Sequence, residues 1–205
     1  MTSKSPLGEN LTREWSEDPY AAELWDSLKQ MEVDPAAGLS TLHELSEAGS
    51  PLSMMHLGHI YLTGQFGVTK NVGSGEDWLK RSADSGSIEG RYRLAKHLLV
   101  SGKQNESMYH FDALVDDGYS PAMFAVGYEY YEGKHLARDF AKSLLYLEKG
   151  RASGNLHAGV LLSHILIKHR KNVFARARGI WLRVKAIVPM IYYITNKPKS
   201  DRVRR

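Results

Sequence analysis

Cysteine is absent from this chain of 205 residues. That excludes a disulfide framework, thiolate zinc sites and thiol catalysis. Long apolar runs are missing too. The longest uncharged apolar stretch, Ala186 to Ile194, has nine residues, whereas a helix needs ~20 to span a bilayer. The opening residues MTSKSPLGENLTREWSEDPY hold no apolar stretch, so no secretory signal is expected and the expected location is the cytoplasm, with the periphery of the inner membrane as the alternative. No G-x-S-x-G, P-loop or dinucleotide fingerprint occurs. Gly73-Ser74-Gly75 matches a phosphate loop only in composition and reads as a turn between helices. Asp116-Asp117 and Glu76-Asp77 read as solvated carboxylates, not an acid/base pair. The pairs His56/His59 and His97/His110 have no Asp, Glu or Cys at ligand spacing, so neither metal nor cofactor is expected. The chain reads as a non-enzyme.

Acidic residues are also missing from one end. Residues 1–167 hold 15 Lys+Arg against 22 Asp+Glu, whereas residues 168–205 hold 12 against one, Asp201. Such polarity points the C-terminal piece at something anionic: a membrane surface, nucleic acid or the acidic body of this same chain.

What the chain does have is punctuation. Gly49, Gly86, Gly118 and Gly154 lie 37, 32 and 36 residues apart. Four residues after each comes a small residue (Ser53, Gly90, Ala122, Ala158). Four further on comes an aliphatic one (Leu57, Leu94, Val126, Leu162), followed by a second small residue (Gly58, Ala95, Gly127, Ser163). A period near 35 is the mark of stacked helix–turn–helix units. The leading helices are expected to begin near the first small residues and to end at turns marked by Gly64, Gly67, Gly102 and Gly133. Counting back from each glycine, the trailing helices place small residues eleven before (Gly38, Gly75, Ser107, Ser143). Trp78, His110 and Tyr146 stand eight before, and Leu42, Leu79, Phe111 and Leu147 seven before. An apolar pair beside a small residue is what interlocking helices need.

The segment SMMHLGHIYLTGQFGVTKNVGSGEDWLKRSADSG, from Ser53 to Gly86, resembles the Sel-one-like repeat family, a relative of tetratricopeptide repeats. AMFAVGYEYYEGKHLARDFAKSLLYLEKGRASG matches nearly as well, and the register covers about residues 36–170. The resemblance implies an all-α fold, a right-handed α-solenoid of about four to five helix-turn-helix repeats that scaffolds protein complexes. Family members serve bacterial signalling, envelope or surface-polysaccharide systems. The expected organisation is a disordered stretch over 1–17, the array over 18–171, an amphipathic helix with a short apolar segment over 172–194, and a basic tail over 195–205. Pro189 is expected to kink or end that helix.

In such arrays the inner surface uses leading-helix positions two before, two after and five after the aliphatic anchor. They are Met55, His59 and Leu62; Tyr92, Lys96 and Leu99; Phe124, Tyr128 and Tyr131; Val160, His164 and Ile167. This stripe reads equally as a groove for a partner protein or peptide and as packing between helices. NVFARARGIWLRVKAIV, Asn172 to Val188, carries a broad apolar face bordered by Arg176 and Arg183 on one side and by Arg178 and Lys185 on the other. Trp181 lies within that face. A smaller face of Ala175, Gly179, Leu182 and Ala186 suits docking on the preceding helix. The broad face has three candidate covers: the protein itself, an anionic membrane interface, or a partner. Nucleic acid has the weakest support.

Overall fold

The computed structural model describes residues 10–169 and 172–196. Among these every regular element is helical, with no strand. A short helix α1 (Asn10–Glu17) precedes five pairs. They are α2 (Ala21–Val33) with α3 (Pro35–Glu47), α4 (Pro51–Thr63) with α5 (Val72–Asp84), α6 (Ile88–Val100) with α7 (Gln104–Asp116), α8 (Ser120–Glu132) with α9 (Phe140–Ala152), and α10 (Leu156–His169) with α11 (Val173–Asn196). A 3₁₀ turn over Gln65–Gly67 links α4 to α5. The chain divides into two compact units, residues 13–110 and residues 111–205 with the first twelve.

The repeating glycines end the trailing helices for a steric reason. Gly49 and Gly86 have φ of +99° and +90°, a region that L side chains avoid. The next residue turns its N–H back on the helix: Ser50 to the Leu45 carbonyl at 3.1 Å and Ser87 to Ser82 at 3.1 Å. Tyr119 to Leu114 and Asn155 to Gly150 repeat the arrangement, each at 2.8 Å. This is the Schellman pattern, four times over. The residue after the glycine then starts the next helix. The Ser50 and Ser87 hydroxyls accept from the Ser53 and Gly90 N–H groups, and Asn155 caps Ala158 in the same way. One tripeptide thus stops one helix and starts another.

Within each pair the two small positions face each other. A Cβ on Gly75 would lie 3.0 Å from the Gly58 carbonyl oxygen, and one on Gly38 2.9 Å from that of Ser27. Where serine replaces glycine it donates to the same carbonyl: Ser107 Oγ to Ala95 at 2.7 Å, and Ser143 Oγ to Gly127 at 2.8 Å. A Cβ on Gly179 would stand 2.9 Å from the Ser163 carbonyl. The crossing recurs five times, and it makes α11 the trailing helix of a fifth pair. In residues 13–110 the core gathers Leu24, Leu42, Leu52, Met55, Leu79 and Leu98; in residues 111–205 it gathers Leu147, Ala158, Leu162, Ile165, Leu166 and Leu182.

Two expectations change. Residues 10–17 are not disordered. They form α1, held because the Glu14 carboxylate accepts from Ser87 Oγ and from the Ile88 and Glu89 N–H groups at 2.8, 2.8 and 3.1 Å. Residues 1–9 lie outside the described residues. Pro189 does not end its helix: α11 runs unbroken to Asn196. Proline removes one N–H, and the carbonyl it leaves without a helical donor belongs to Lys185, an exposed residue. The turn at 170 and 171 and the basic tail beyond 196 lie outside the described residues.

Candidate partner-binding surfaces

The leading helices α2, α4 and α6 of residues 13–110 form one layer. Three of the residues expected to line it are core instead: Met55, Tyr92 and Leu99 are almost wholly buried. Leading helices pack side by side, so these positions point into the seam between neighbours. Leu62 is likewise turned away, with its Cγ 2.7 Å from where a Gly75 Cβ would be. His59 and Lys96 remain accessible. His59 joins His56, Trp25, Lys29, Phe66 and Arg93 around a cavity of about 280 Å³. Burial holds the His59 imidazole below its ordinary pKa, and nearby Arg93 adds to this. Lys96 is exposed, its ammonium 5.3 Å from the Tyr92 ring centroid.

Sequence reading missed the role of α1. Trp15 meets Trp25 and His56 edge-on at 6.1 and 5.9 Å. Asp18, just after α1, accepts from Ser50 Oγ at 2.8 Å and from the Leu52 N–H at 3.2 Å. Glu14 and Asp18, four apart, therefore sit on the N-terminal ends of α6 and α4, where free N–H groups favour carboxylates. Burial pushes the Glu14 carboxyl above the usual range despite its hydrogen bond from Ser87. The spacing of those two acids ahead of α2 was the available signal.

In residues 111–205 an aromatic strip does form. Phe124 lies 6.0 Å from Tyr128 and 5.8 Å from buried His157; Tyr131 meets His164 at 6.3 Å and Phe140 at 6.0 Å. Tyr128 is 42% exposed, while Phe124 and Tyr131 half-bury themselves against the core. Val160 is half-buried. Burial, then Lys168 and Arg183, lower the His164 pKa. Ile167 belongs elsewhere: its Cγ1 sits 2.9 Å from a Cβ built on Gly179, so it packs on α11. Between α9 and α11, floored by Leu162 and Leu166, runs an open groove of about 540 Å³ whose lining includes Glu148 and Arg178.

The faces of α11 separate as expected. Leu182, Ala186 and Gly179 are buried, and α11 packs on α10. Trp181 is exposed, with the Lys185 ammonium 4.1 Å from its ring centroid. Arg176 is exposed, and Arg178 pairs with Glu148. Arg183 is not an outward contact: half-buried, its Nε donates to Ser163 Oγ at 3.2 Å. Among the described residues no three His, Asp or Glu side chains converge as metal ligands.

The Sel1 repeat model matches residues 51–87 and 120–155, the α4–α5 and α8–α9 pairs. No protein of curated function matches the chain. Among solved structures it is similar to a Sel1 repeat protein from Oxalobacter formigenes, at 17% identity over 81% of this chain and 72% of that one, TM-score 0.59. It is similar also to a protective antigen of uropathogenic Escherichia coli strains displaying an SLR fold, at 18% identity and TM-score 0.58. That match covers 82% of this chain but only 43% of the antigen. Matched repeats, Schellman turns at their boundaries and neighbours sharing the fold make residues 51–87 and 120–155 Sel1 repeats within a chain of the all-α solenoid class.

Proposed function

We propose that this protein is a non-enzymatic adaptor that holds a partner protein against the aromatic strip of α8, beside His164 of α10. Sel1 repeats generally serve protein–protein interaction and are typically scaffolds. The observation that carries the reading is Tyr128. Every neighbouring anchor on α8 is drawn inward, yet this tyrosine stays 42% exposed beside Phe124. Rigid aromatics with a polar tip are what interfaces select, since they offer large area at little entropic loss. His164 on α10 adds a polar contact; such a surface suits an amphipathic helix or an extended peptide. Signalling, envelope or surface-polysaccharide assemblies are the settings in which such an adaptor fits.

The test is a photo-crosslinking amino acid placed at position 128 and, separately, at position 109. Tyr109 is exposed on trailing helix α7. In the native host, one partner should crosslink from 128 and not from 109. Equal crosslinking from both, or from 109 alone, overturns the reading.

A further inference from the structure

The outward face of α11 differs from those of the trailing helices α5 and α7. The recurring small-residue crossing aligns Gly179 with Gly75 and Ser107. In that register Val184 and Val188 stand where α5 has Lys80 and Asp84 and where α7 has Asp112 and Asp116. Those four charged residues are solvent-exposed, as the fold requires of that side. In α11 the same side stays exposed yet is apolar: Phe174 is 86% exposed, Val184 63% and Val188 70%. Ile180, Trp181 and Ile191 continue it. The docked face of Gly179, Leu182 and Ala186 lies on the other side of the helix, so packing does not account for the apolar one.

We infer that α11 lies along the interface of an anionic lipid bilayer, with this face among the acyl chains and its basic borders at headgroup depth. Three features choose lipid as the cover. First, no helix among the described residues is long and apolar enough to cross a membrane, but 24 residues of helix extend about 36 Å in its plane. Second, α11 contains no acidic residue. Arg176 borders the apolar face on one side and Lys185 on the other, where long stems can snorkel to phosphates. Trp181 under Lys185 is an amphipathic ring at that same boundary. Third, a second copy is a poor cover. Pairing two such faces would bring cationic borders together with no carboxylate on either helix to offset them. The inference does not depend on the partner surface of α8 and α10.

The test is flotation of the full chain with phosphatidylcholine vesicles, with and without phosphatidylglycerol. Binding should be at least roughly tenfold tighter with the anionic lipid. The double variant Val184→Asp/Val188→Asp, at two exposed positions, should fall to the level seen on phosphatidylcholine alone. Arg176→Gln/Lys185→Gln should weaken binding by about 30-fold, at one elementary surface interaction per cation. Bromine-labelled lipid should quench Trp181 emission in the wild-type chain and lose that component in Trp181→Phe, a readout that stands even where the double variant misfolds. Undiminished binding by a folded double variant would assign the attraction to charge alone and overturn the inference. So would a dimer in solution that the double variant abolishes, or absence of binding to both vesicles.

Discussion

Trp78 packs with Met54 and Leu57, its ring covered by the Arg81 guanidinium at 4.1 Å and met edge-on by His43 at 5.8 Å. Its place eight before the repeat glycine marked it as an anchor in the sequence, and it is buried. Trp78→Ala should therefore lower unfolding free energy by about 3–5 kcal/mol in chemical denaturation. A neighbouring residue yields a pH prediction. Burial pushes the Glu76 carboxyl upward, but hydrogen bonds from Lys103 and Lys80 at 2.7 and 2.8 Å prevail and hold it at about 2. A carboxylate depressed on folding stabilises above its unfolded pKa and loses that contribution as pH falls through the folded value. The loss should run from 4.5 down to about 2. In Glu76→Gln, acid melting curves should be flatter across that window than in the wild type. Single positions were otherwise the least legible scale. Met55 and Phe124 occupy the same repeat position, two before their anchors. One is core and the other half-buried, because the distinction depends on what each position meets across the seam, and no periodicity records that.

Elements were far more legible. The boundaries at Gly49, Gly86 and Gly154 rest on local chemistry: a left-handed glycine, then a hydroxyl or amide cap, then a small residue where helices cross. All three are written within ten residues of one another, so reading along the chain recovers them. The faces of α11 were equally readable, since 100° per residue separates Gly179 and Leu182 from Val184 and Val188. α1 was signalled only by the spacing of Glu14 and Asp18, and its hold was not readable, because it depends on Glu14 reaching residues more than seventy positions away. Nor was the continuity of α11 through Pro189, where the carbonyl left without a helical donor belongs to exposed Lys185. The crossing at Gly179 supplies the prediction at this scale. A side chain there would meet the Ser163 carbonyl and Ile167 Cγ1, each 2.9 Å from the new Cβ. Neither can withdraw, since one is helix backbone and the other is clamped between two helices. Gly179→Leu should lift α11 from α10. Limited trypsinolysis should then cut at Arg176 and Arg178 many times faster than in the wild type, while far-UV helicity declines only modestly.

For the whole molecule, charge is the property that no single helix displays. Residues 1–167 carry a formal excess of acid and residues 168–205 a formal excess of base, so a single chain carries both signs in separate blocks. The family resemblance made the repeat class legible, but the division near residue 110 left no mark in composition. It falls within α7, and the glycine period continues past it. The charge blocks lead to a salt-dependence that separates two ways of reaching a membrane. Attraction between exposed cations and lipid phosphates is screened beyond a Debye length, which shrinks from ~10 Å at 0.1 M salt to ~3 Å at 1 M. Apolar transfer of Val184, Val188 and Phe174 is not screened; at about 0.8 kcal/mol per buried CH₂ it persists and even strengthens in excluded salts. Vesicle association of the wild-type chain should therefore weaken with added sodium chloride and level off at a finite residual. In Val184→Asp/Val188→Asp the same titration should run to zero, because only charge is left to hold the chain. A wild-type curve that also runs to zero would mean that the basic block alone makes the contact, and that the apolar side of α11 stays in water.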